Sequence, residues 1–548
     1  MRIALLSNVT ADLLAGMLKK SVDVYVTAGY DTWQQEIIIP TSGLYESKPE
    51  AVIVLIHANA YSDTWNDVAK GRQLIDDWIS ALKTMIANLP SIPIFVSSLD
   101  VSSVKCQFGA EVRLETDFEN YFIKNIEAIH ASGGNIYVLP VKEAITDLGR
   151  SNFYAAKMWY MGSMPYSIKG LTILADMITR FVGVTKGMHK KCFALDLDNT
   201  LWGGVIGEDG VNGIVLANNK EGARYKDTQR LLKKMKEQGV MLAILSKNNV
   251  KDVEPVFTHS DMVLKHEDFV AEVINWEPKS VNIRKLAKDL NIGLDAFVFL
   301  DDNPAEREQM RAECPEVTVL DFPKDSSLLP EVTAKAYDDY FLALEVTGED
   351  SKKTAMYKAE SLRTAEMNSA TSVEDFLKKL DMTMIIHFMA PEEEKRVTQL
   401  TNKTNQFNVT TRRYSEEEIH HFATSPDTDI ITIHMADKYG DQGLLSVLIL
   451  KYEGDAAIID TFLMSCRVMG RNAEIEILSA VKNLLEKKHI QTIKASYLKT
   501  AKNSPVAELF EKLGFDLVSA ADEEKHYAAA AENLPSTTNV YKEIVCEL

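Results

Sequence analysis

The sequence predicts an α/β protein of three domains, and three observations support this prediction. Its 548 residues suffice for three or four domains at about 150 residues each. Two successive blocks alternate short apolar runs with helical patterns, which is typical of parallel sheets covered by helices. In the last block the strand candidates follow one another in a run, which is typical of α+β domains. The predicted parts are residues 1–185, 191–325, a helical connector over 326–380, and 381–548.

Composition excludes several classes of protein. Apolar residues make up 46 % and charged residues 25 %, as in ordinary globular proteins. A formal net charge of -19 argues against non-specific binding to nucleic acid or to anionic membranes. No apolar run reaches the roughly 18 residues of a membrane span, so membrane insertion is not expected. Five scattered cysteines without a C-x-x-C pair argue against zinc sites and disulfide frameworks, and indicate a reducing, cytoplasmic location.

The first block predicts a parallel sheet with helices on both faces. Helices are expected around 68–88 and 115–130, and a basic linker over 186–191 closes the block. The strand candidates are 2–6, 22–27, 51–56, 92–97 and 135–139.

The second block places polar side chains directly after its apolar runs, which are 192–197, 240–245, 261–264 and 296–300. The carboxyl ends of parallel strands are where ligands bind in such sheets. Asp196 and Asp198 are two residues apart, so on an extended segment they face the same way. One can attack phosphorus while the other moves protons. Ser246 and Lys279 offer a hydroxyl and a cation for a phosphate, and Asp301 with Asp302 offers oxygen ligands for Mg²⁺. The plain alternative is that these residues only form loops at strand ends.

The order of these motifs along the chain resembles the four-motif signature of the haloacid-dehalogenase superfamily. That signature is D-x-D-x-T, then Ser, then Lys, then D-D. The resemblance implies a Rossmannoid domain in which Asp196 is the nucleophile and Asp198 the general acid/base. It implies that Ser246 and Lys279 hold the phosphoryl group, beside Thr200. The implied Mg²⁺ ligands are Asp196, Asp198, Asp301 and Asp302. The short glycine-rich insert 202–210 is a minimal cap, which leaves the site open to a bulky or protein-borne substrate.

The elements predicted after residue 381 resemble the GNAT acyltransferase fold, which binds the pyrophosphate and pantetheine of coenzyme A. Its strand candidates are 382–388, 428–435, 443–451, 456–464, 490–496, 515–519 and 538–545, and the alanine patch 528–531 is predicted as a loop or helix end. The fingerprint Q/R-x-x-G-x-G/A corresponds to the run 467–473, in which Arg467 and Gly470 match the first two anchors. Arg471 follows them, and Asn472 occupies the last, small position.

Cys466 precedes that helix start and is followed by Arg467. A helix N-terminus and a neighbouring cation both lower the pKa of a thiol. Two interpretations stay open from the residues alone, namely an acyl-accepting nucleophile and a packed core cysteine.

The region 191–548 also resembles the FkbH-like family, on the stretches 193–210, 399–408, 410–414, 439–444 and 465–471. Members of that family take a three-carbon unit from 1,3-bisphosphoglycerate, remove phosphate, and load glyceryl onto the phosphopantetheine thiol of an acyl carrier protein. The resemblance implies a catalytic Cys466. It also implies contacts to substrate or pantetheine from Asn405, Gln406, Asn408, Arg412 and Arg413, whose plain interpretation is a helix end followed by a polar turn.

The first domain vaguely resembles the SGNH-hydrolase fold, a flavodoxin-like parallel sheet with a nucleophilic serine after its first strand. Ser7 stands there, but Leu6 precedes it where active members have G-D-S. The expected D-x-x-H is absent from the region 165–170. Because a serine without a base is not activated, we expect a non-hydrolytic domain used for docking or shielding.

Three functional hypotheses follow. The first is an Mg²⁺-dependent phosphatase or phosphotransferase coupled to acyl transfer from an acyl phosphate to an acyl carrier protein. The second is a phosphatase fused to an acetyl-CoA-dependent N-acetyltransferase in sugar or surface-polymer biosynthesis. The third is a non-catalytic scaffold that binds a carrier. The cofactors implied are Mg²⁺ and phosphopantetheine or CoA, and the partners are a phosphorylated small molecule and the carrier.

Overall fold

The computed structural model of the chain describes residues 1–27, 29–101, 114–345, 353–369, 372–465, 468–500 and 502–548. Two compact units divide it: Met1–Arg284 with Ile292–Ser351, and Lys285–Asn291 with Lys352–Leu548. The first unit contains two parallel sheets and the second contains one mixed sheet. Within the described residues, no helix has the length and apolar character that a membrane span requires. The predicted domain boundaries stay predictions.

Five parallel strands form the first sheet, in the order β2-β1-β3-β4-β5, and each was predicted. They are β1 (Arg2–Ser7), β2 (Asp23–Val26), β3 (Ala51–Leu55), β4 (Ile94–Ser97) and β5 (Ile136–Leu139). Helices cover both faces of a parallel sheet, so side chains on both sides of each strand are buried. The strands therefore consist of continuous apolar runs in the sequence. The accompanying helices are α1 (Asp12–Leu18), α2 (Trp33–Ile38), α3 (Gly43–Glu46), α4 (Val68–Asn88), α5 (Leu114–Ala131), α6 (Val141–Leu148), α7 (Arg150–Phe153), α8 (Ala156–Gly162) and α9 (Ile168–Val184).

The second sheet is also parallel, in the order β10-β9-β6-β7-β8. Its strands are β6 (Cys192–Leu195), β7 (Met241–Ser246), β8 (Phe269–Ile274), β9 (Phe297–Leu300) and β10 (Thr318–Val319). Its helices are α10 (Ile206–Asp209), α11 (Lys220–Glu237), α12 (Val250–Val253), α13 (Lys279–Asp289), α14 (Pro304–Glu313) and α15 (Leu329–Ala336). Because β6 lies between β9 and β7, the residues that follow these three strands meet at one edge.

The prediction of a strand at 261–264 is wrong, since the strand beside β7 is β8, which begins at Phe269. The run 261–264 is apolar and partly buried, but the fully buried Gln229 of α11 takes the place of a neighbouring strand. Its side-chain Oε1 accepts from the backbone N–H groups of Val263, at 2.8 Å, and Leu264, at 3.2 Å. Its Nε2 donates to the carbonyl of Leu201 at 2.7 Å. A single side chain thus satisfies backbone groups that strand pairing would otherwise serve.

Replacing Gln229 with leucine is expected to lower the free energy of unfolding by about 3 kcal/mol, because three buried backbone groups lose a partner. Leucine has a similar volume, so the loss reflects hydrogen bonding more than packing. Urea denaturation of the full chain measures it. The matched control is Gln238→Leu, at an exposed position just after α11, and an equal effect of both substitutions would contradict the explanation.

The mixed third sheet runs β17-β18-β16-β15-β14-β13-β11-β19, with β12 paired to β15. Neighbouring strands are antiparallel except β15 with β16 and β11 with β19. The strands are β11 (Thr383–Phe388), β12 (Phe407–Asn408), β13 (Thr428–Asp437), β14 (Gly440–Glu453), β15 (Ala456–Met464), β16 (Thr492–Leu498), β17 (Asp516–Ala520), β18 (Glu524–Ala530) and β19 (Glu543–Glu547). The helices are α16 (Lys353–Ser369), α17 (Val373–Lys379), α18 (Glu394–Lys403), α19 (Glu416–Thr424), α20 (Ala473–Lys487) and α21 (Leu509–Lys512).

The alanine patch 528–531 is not the predicted loop or helix end, because most of it lies in β18. Ala529 is buried and pairs with Ile493 of β16, and Ala528 pairs with Lys494. Small side chains opposite large ones pack well in a sheet, so position on the strand outweighs the low strand propensity of alanine.

Strands β15 and β16 pair only near their starts, from Ala456 to Ile459 on β15, and β12 closes the gap beyond. Phe407 and Asn408 pair with the end of β15. On the other side, the backbone N–H of Leu498 donates to the carbonyl of Val409 at 2.9 Å. The buried Asn503 amide donates to the carbonyls of Asn408, at 3.0 Å, and Leu498, at 2.8 Å. These contacts give backbone groups on both sides of the gap partners from the chain itself.

Candidate active site

Asp196, Ser246 and Asp301 meet at the carboxyl edge of the second sheet, where the sequence predicts them. Asp196 follows β6, Ser246 ends β7 and Asp301 follows β9. The backbone N–H of Asp196 donates to the carbonyl of Leu300 at 3.0 Å, so the ladder continues up to the nucleophile candidate. All three side chains are buried. Strand pairing thus sets the spacing of these groups.

Three carboxylates converge at this edge: one oxygen from each of Asp196, Asp301 and Asp302 lies within 4.8 Å of the others. Burial and the charge of Asp196 raise the pKa of Asp301 and of Asp302. Crowded oxygen ligands whose mutual repulsion a cation would relieve are the donors that Mg²⁺ prefers. The residues present therefore fit this ion. The Asp198 side chain is not part of the group, and a metal contact by Asp198 stays a prediction.

Lys279, at the start of α13, supplies a positive charge to the same cluster. Its Nζ lies 2.8 Å from Asp196 Oδ1 and 2.5 Å from Asp301 Oδ2. Burial lowers the pKa of Lys279, but the two carboxylates outweigh it and hold that pKa above its usual value. The side chain is only 3 % exposed. Lys279 is therefore a fixed cation between the predicted nucleophile and a predicted metal ligand.

Asp198 is held by donors that the sequence analysis did not single out. Its Oδ1 accepts from the indole N–H of Trp202 and from the backbone N–H of Ile206, both at 3.0 Å. Its Oδ2 accepts from the Asn248 amide at 2.9 Å, and that amide also contacts Ser246 Oγ at 3.3 Å. Asn248 lies two residues after Ser246, the same spacing that identifies Asp198 beside Asp196. That spacing in the sequence could have identified Asn248 as a site residue.

The insert 202–210 folds back onto Asp198 and is not a large cap. It starts from Asn199, which has a left-handed backbone (φ 53°) and whose Oδ1 accepts from the N–H of Gly204 at 2.9 Å. Gly204 has φ 92°, and a Cβ there would lie 2.5 Å from Asp209 Oδ2. Glycine is therefore required at this turn. The predicted minimal cap is a short strap that fixes a catalytic candidate.

Two more residues complete the edge. Thr200, predicted to contact substrate, is fully buried, and its hydroxyl has no partner within the described ranges. Arg307 of α14 was missed: it donates to the backbone carbonyls of Asp301 at 2.8 Å and Asp302 at 2.7 Å. It thereby orients the paired aspartates through their backbone. The role of Arg307 is visible only in the folded structure. Helix α14 places its side chain against the backbone of residues five and six positions earlier.

Several predicted contact residues of the last domain have partners within the described part of the chain. Arg412 pairs with the buried Asp460, and Arg413 donates to the carbonyl of Thr404 at 3.2 Å and to Asn405 Oδ1 at 2.5 Å. Asn408 is buried in β12, whereas Gln406 is exposed.

Gly470 and Arg471 lie before α20. Gly470 has φ 77°, and the buried Arg471 pairs with Asp437 at 3.3 Å. Cys466 and Arg467 lie outside the described residues. Roles in binding stay predictions for this whole group.

In the first sheet, the Ser7 hydroxyl donates to the carbonyl of Leu55 at 2.9 Å and accepts from the N–H of Val9 at 3.2 Å. Buried His57 lies among the rings of Tyr154, Trp159 and Tyr166. Burial lowers the pKa of His57 to about 4. Both residues thus have structural partners, and the non-hydrolytic role of this domain stays a prediction.

Comparison with known proteins gives one substantial similarity. No family model and no curated protein sequence matches the chain. The chain is similar to the N-terminal part of a Bacteroides fragilis protein that contains a phosphatase domain and was crystallised with Mg. The two are 26 % identical, with a TM-score of 0.58, over 63 % of this chain and 94 % of that one. The predicted α/β fold class, with parallel-sheet domains similar to that phosphatase-containing structure, is confirmed.

Weaker similarities concern N-acetyltransferases. The ribosomal-protein-S18-alanine N-acetyltransferase from Escherichia coli is 14 % identical over 29 % of this chain and 99 % of its own, with a TM-score of 0.22. The PaiA N-acetyltransferase from Thermoplasma acidophilum, solved with coenzyme A, is 14 % identical over 27 % of this chain and 98 % of its own, with a TM-score of 0.21.

Proposed function

We propose that this chain is an Mg²⁺-dependent phosphohydrolase or phosphotransferase that uses Asp196 as its nucleophile. The observation behind the proposal is the buried cluster of Asp196, Asp301 and Asp302, with the Lys279 ammonium against the first two. A carboxylate and a phosphate repel each other, so such a nucleophile needs fixed positive charge at its side. Lys279 supplies one such charge. The similar Bacteroides fragilis structure, which contains a phosphatase domain, was crystallised with Mg.

The proposed reaction has two steps, and residues of the chain supply the nucleophile and the proton donor and acceptor. An Asp196 oxygen forms a bond to phosphorus, the bond to the leaving oxygen breaks, and Asp198 gives that oxygen a proton. Water then attacks the aspartyl-phosphate, Asp198 takes back a proton, and inorganic phosphate leaves with Asp196 restored. The three donors from Trp202, Ile206 and Asn248 orient Asp198 for both transfers. Bound Mg²⁺, held by Asp196, Asp301 and Asp302, would supply charge neutralisation at the phosphoryl oxygens.

The proposal extends to the fate of the organic product. The chain resembles acyl-carrier loading enzymes over 191–548, and the short insert leaves room for a bulky substrate. We therefore infer that the natural substrate is an acyl phosphate such as 1,3-bisphosphoglycerate, whose glyceryl unit passes to the phosphopantetheine thiol of an acyl carrier protein. Cys466 is the proposed intermediate acceptor. Its thiolate would displace the acyl phosphate, the Asp196 site would hydrolyse the remaining phosphate ester, and the carrier thiol would displace Cys466 from the acyl group.

The experiment combines the full chain, Mg²⁺, 1,3-bisphosphoglycerate and a phosphopantetheinylated carrier, and follows phosphate release and carrier mass together. We expect both phosphate and a glyceryl mass increase, with the mass increase lost in Cys466→Ala and kept in Cys546→Ala. Hydrolysis of a generic phosphate ester without a mass increase would reject the transfer half alone. Acetylation of an amine from acetyl-CoA would support the N-acetyltransferase alternative, and no phosphate release from any ester would reject the whole proposal.

A further inference from the structure

A second group of convergent ligands lies in the mixed sheet, in the second unit. His387 is on β11, His434 is on the adjacent β13, and Glu393 lies in the turn before α18. One donor atom from each lies within 4.8 Å of the other two. The imidazole rings stack with centroids 5.4 Å apart. His387 pairs with Thr432 and His434 with Ile385, so strand pairing brings the two rings to one face on a diagonal.

Each of these side chains has one end fixed by the fold. His387 Nδ1 lies 2.8 Å from the carbonyl of Phe388, so it carries the proton and leaves the lone pair on Nε2. Glu393 Oε2 accepts from the Ala390 backbone N–H at 3.0 Å and from the Thr432 hydroxyl at 2.9 Å. This leaves Oε1 facing both rings, 2.5 Å from His434 Nε2 and 3.6 Å from His387 Nε2. Hydrogen bonds behind the ligating atoms are what orients ligands in metal sites.

We propose that His387, Glu393 and His434 form a binding site for a transition metal, with Zn²⁺ as the expected ion. Two imidazole nitrogens and one carboxylate oxygen are the ligands of open zinc sites, which keep a fourth position for water or substrate. The side chains of His387 and His434 are 22 % and 32 % exposed, so that position is open to solvent. The ion takes the place of the hydrogen bond between His434 Nε2 and Glu393 Oε1.

This site and the aspartate cluster select different ions. Imidazole suits Zn²⁺, Co²⁺ and Ni²⁺, whereas a cluster of carboxylates suits Mg²⁺. The proposal does not depend on the phosphatase function, because no residue of the aspartate cluster takes part.

The test titrates chelator-treated full-length protein, kept in Mg²⁺, with Zn²⁺ by calorimetry. We expect one equivalent bound and a rise in the melting temperature. Co²⁺ should give a ligand-field band without a thiolate charge-transfer band, which excludes binding by the cysteines. A thiolate band, or no binding at all, would overturn the proposal.

Four variants locate the ion. His387→Ala and His434→Ala should each weaken Zn²⁺ binding at least about 100-fold, the upper end of what changes to outer hydrogen-bond partners cost. Thr432→Val keeps all three ligands but removes one of the two hydrogen bonds to Glu393 Oε2, and should weaken binding about tenfold. The matched control is His420→Ala, because His420 forms an exposed single pair with Glu394 at 3.3 Å. Unchanged affinity in both ligand variants would place the ion elsewhere and reject the site, even if one variant folds poorly.

Discussion

Asp196→Asn is expected to reduce Mg²⁺-dependent phosphate release by about 10³-fold or more, equivalent to about 4 kcal/mol of barrier. Asparagine has nearly the same shape, but its amide does not form the bond to phosphorus that a carboxylate does. The same change removes one of three crowded charges, and the charge of Asp196 contributes to the raised pKa of Asp301 and Asp302. We therefore expect unchanged or higher stability of the metal-free protein. Phosphate release and the urea midpoint, measured on the same preparation, check both parts.

The matched control for this substitution is Asp289→Asn, at the exposed end of α13. It changes the net charge equally without touching the site, so phosphate release should stay at the level of the unmodified chain. Retention of substantial activity in Asp196→Asn would mean that another group attacks phosphorus. A large loss of stability would mean that Asp196 serves mainly to pair with Lys279.

Much of the site could be predicted from the sequence because its geometry is a property of strand ends. An apolar run followed by Asp196, another ending at Ser246 and a third followed by Asp301 must meet if the strands are parallel neighbours. The chemistry of each side chain then follows from its type. What could not be predicted is which side chains hold these groups in place. Asn248 and Arg307 act through contacts that only folding creates, and neither lies on an apolar run.

The errors in the fold share one cause, namely that partners distant in the sequence decided the local structure. The run 261–264 has the pattern of a buried strand, but Gln229 satisfies its backbone from a helix more than thirty residues earlier. The patch 528–531 has the composition of a helix end, but Ile493 provides a strand partner. Strand β12, which no apolar run predicted, is likewise defined by a distant partner, because Phe407 and Asn408 pair with the end of β15. Local sequence patterns identify candidate segments, and pairing with distant residues decides which secondary structure each segment adopts.

Lys279→Met should reveal how the aspartate cluster is held together without an ion. Methionine keeps the length and apolar stem of lysine but removes the ammonium, which leaves Asp196 and Asp301 buried without their cation. Removal of one partner from a buried ion pair costs about 3–5 kcal/mol, so we expect a loss of that size in chelator. Saturating Mg²⁺ should restore most of the stability, because a divalent ion between the same carboxylates replaces the missing charge and binds only the folded state. It should not restore phosphate release, since the phosphoryl group then lacks the fixed positive charge beside the nucleophile.

The contrast between stability and activity is what makes this substitution informative. Lys288→Met, at an exposed position on the same helix, is the control and should leave both quantities unchanged. Urea denaturation in chelator and in Mg²⁺ gives the stability of each variant, and phosphate release gives the activity. If Mg²⁺ stabilised Lys279→Met no more than it stabilises the unmodified chain, the three aspartates would not be the ion's ligands. Lys279 would then serve only as a structural counter-ion to Asp196 and Asp301. The metal ion would bind at a different group of residues.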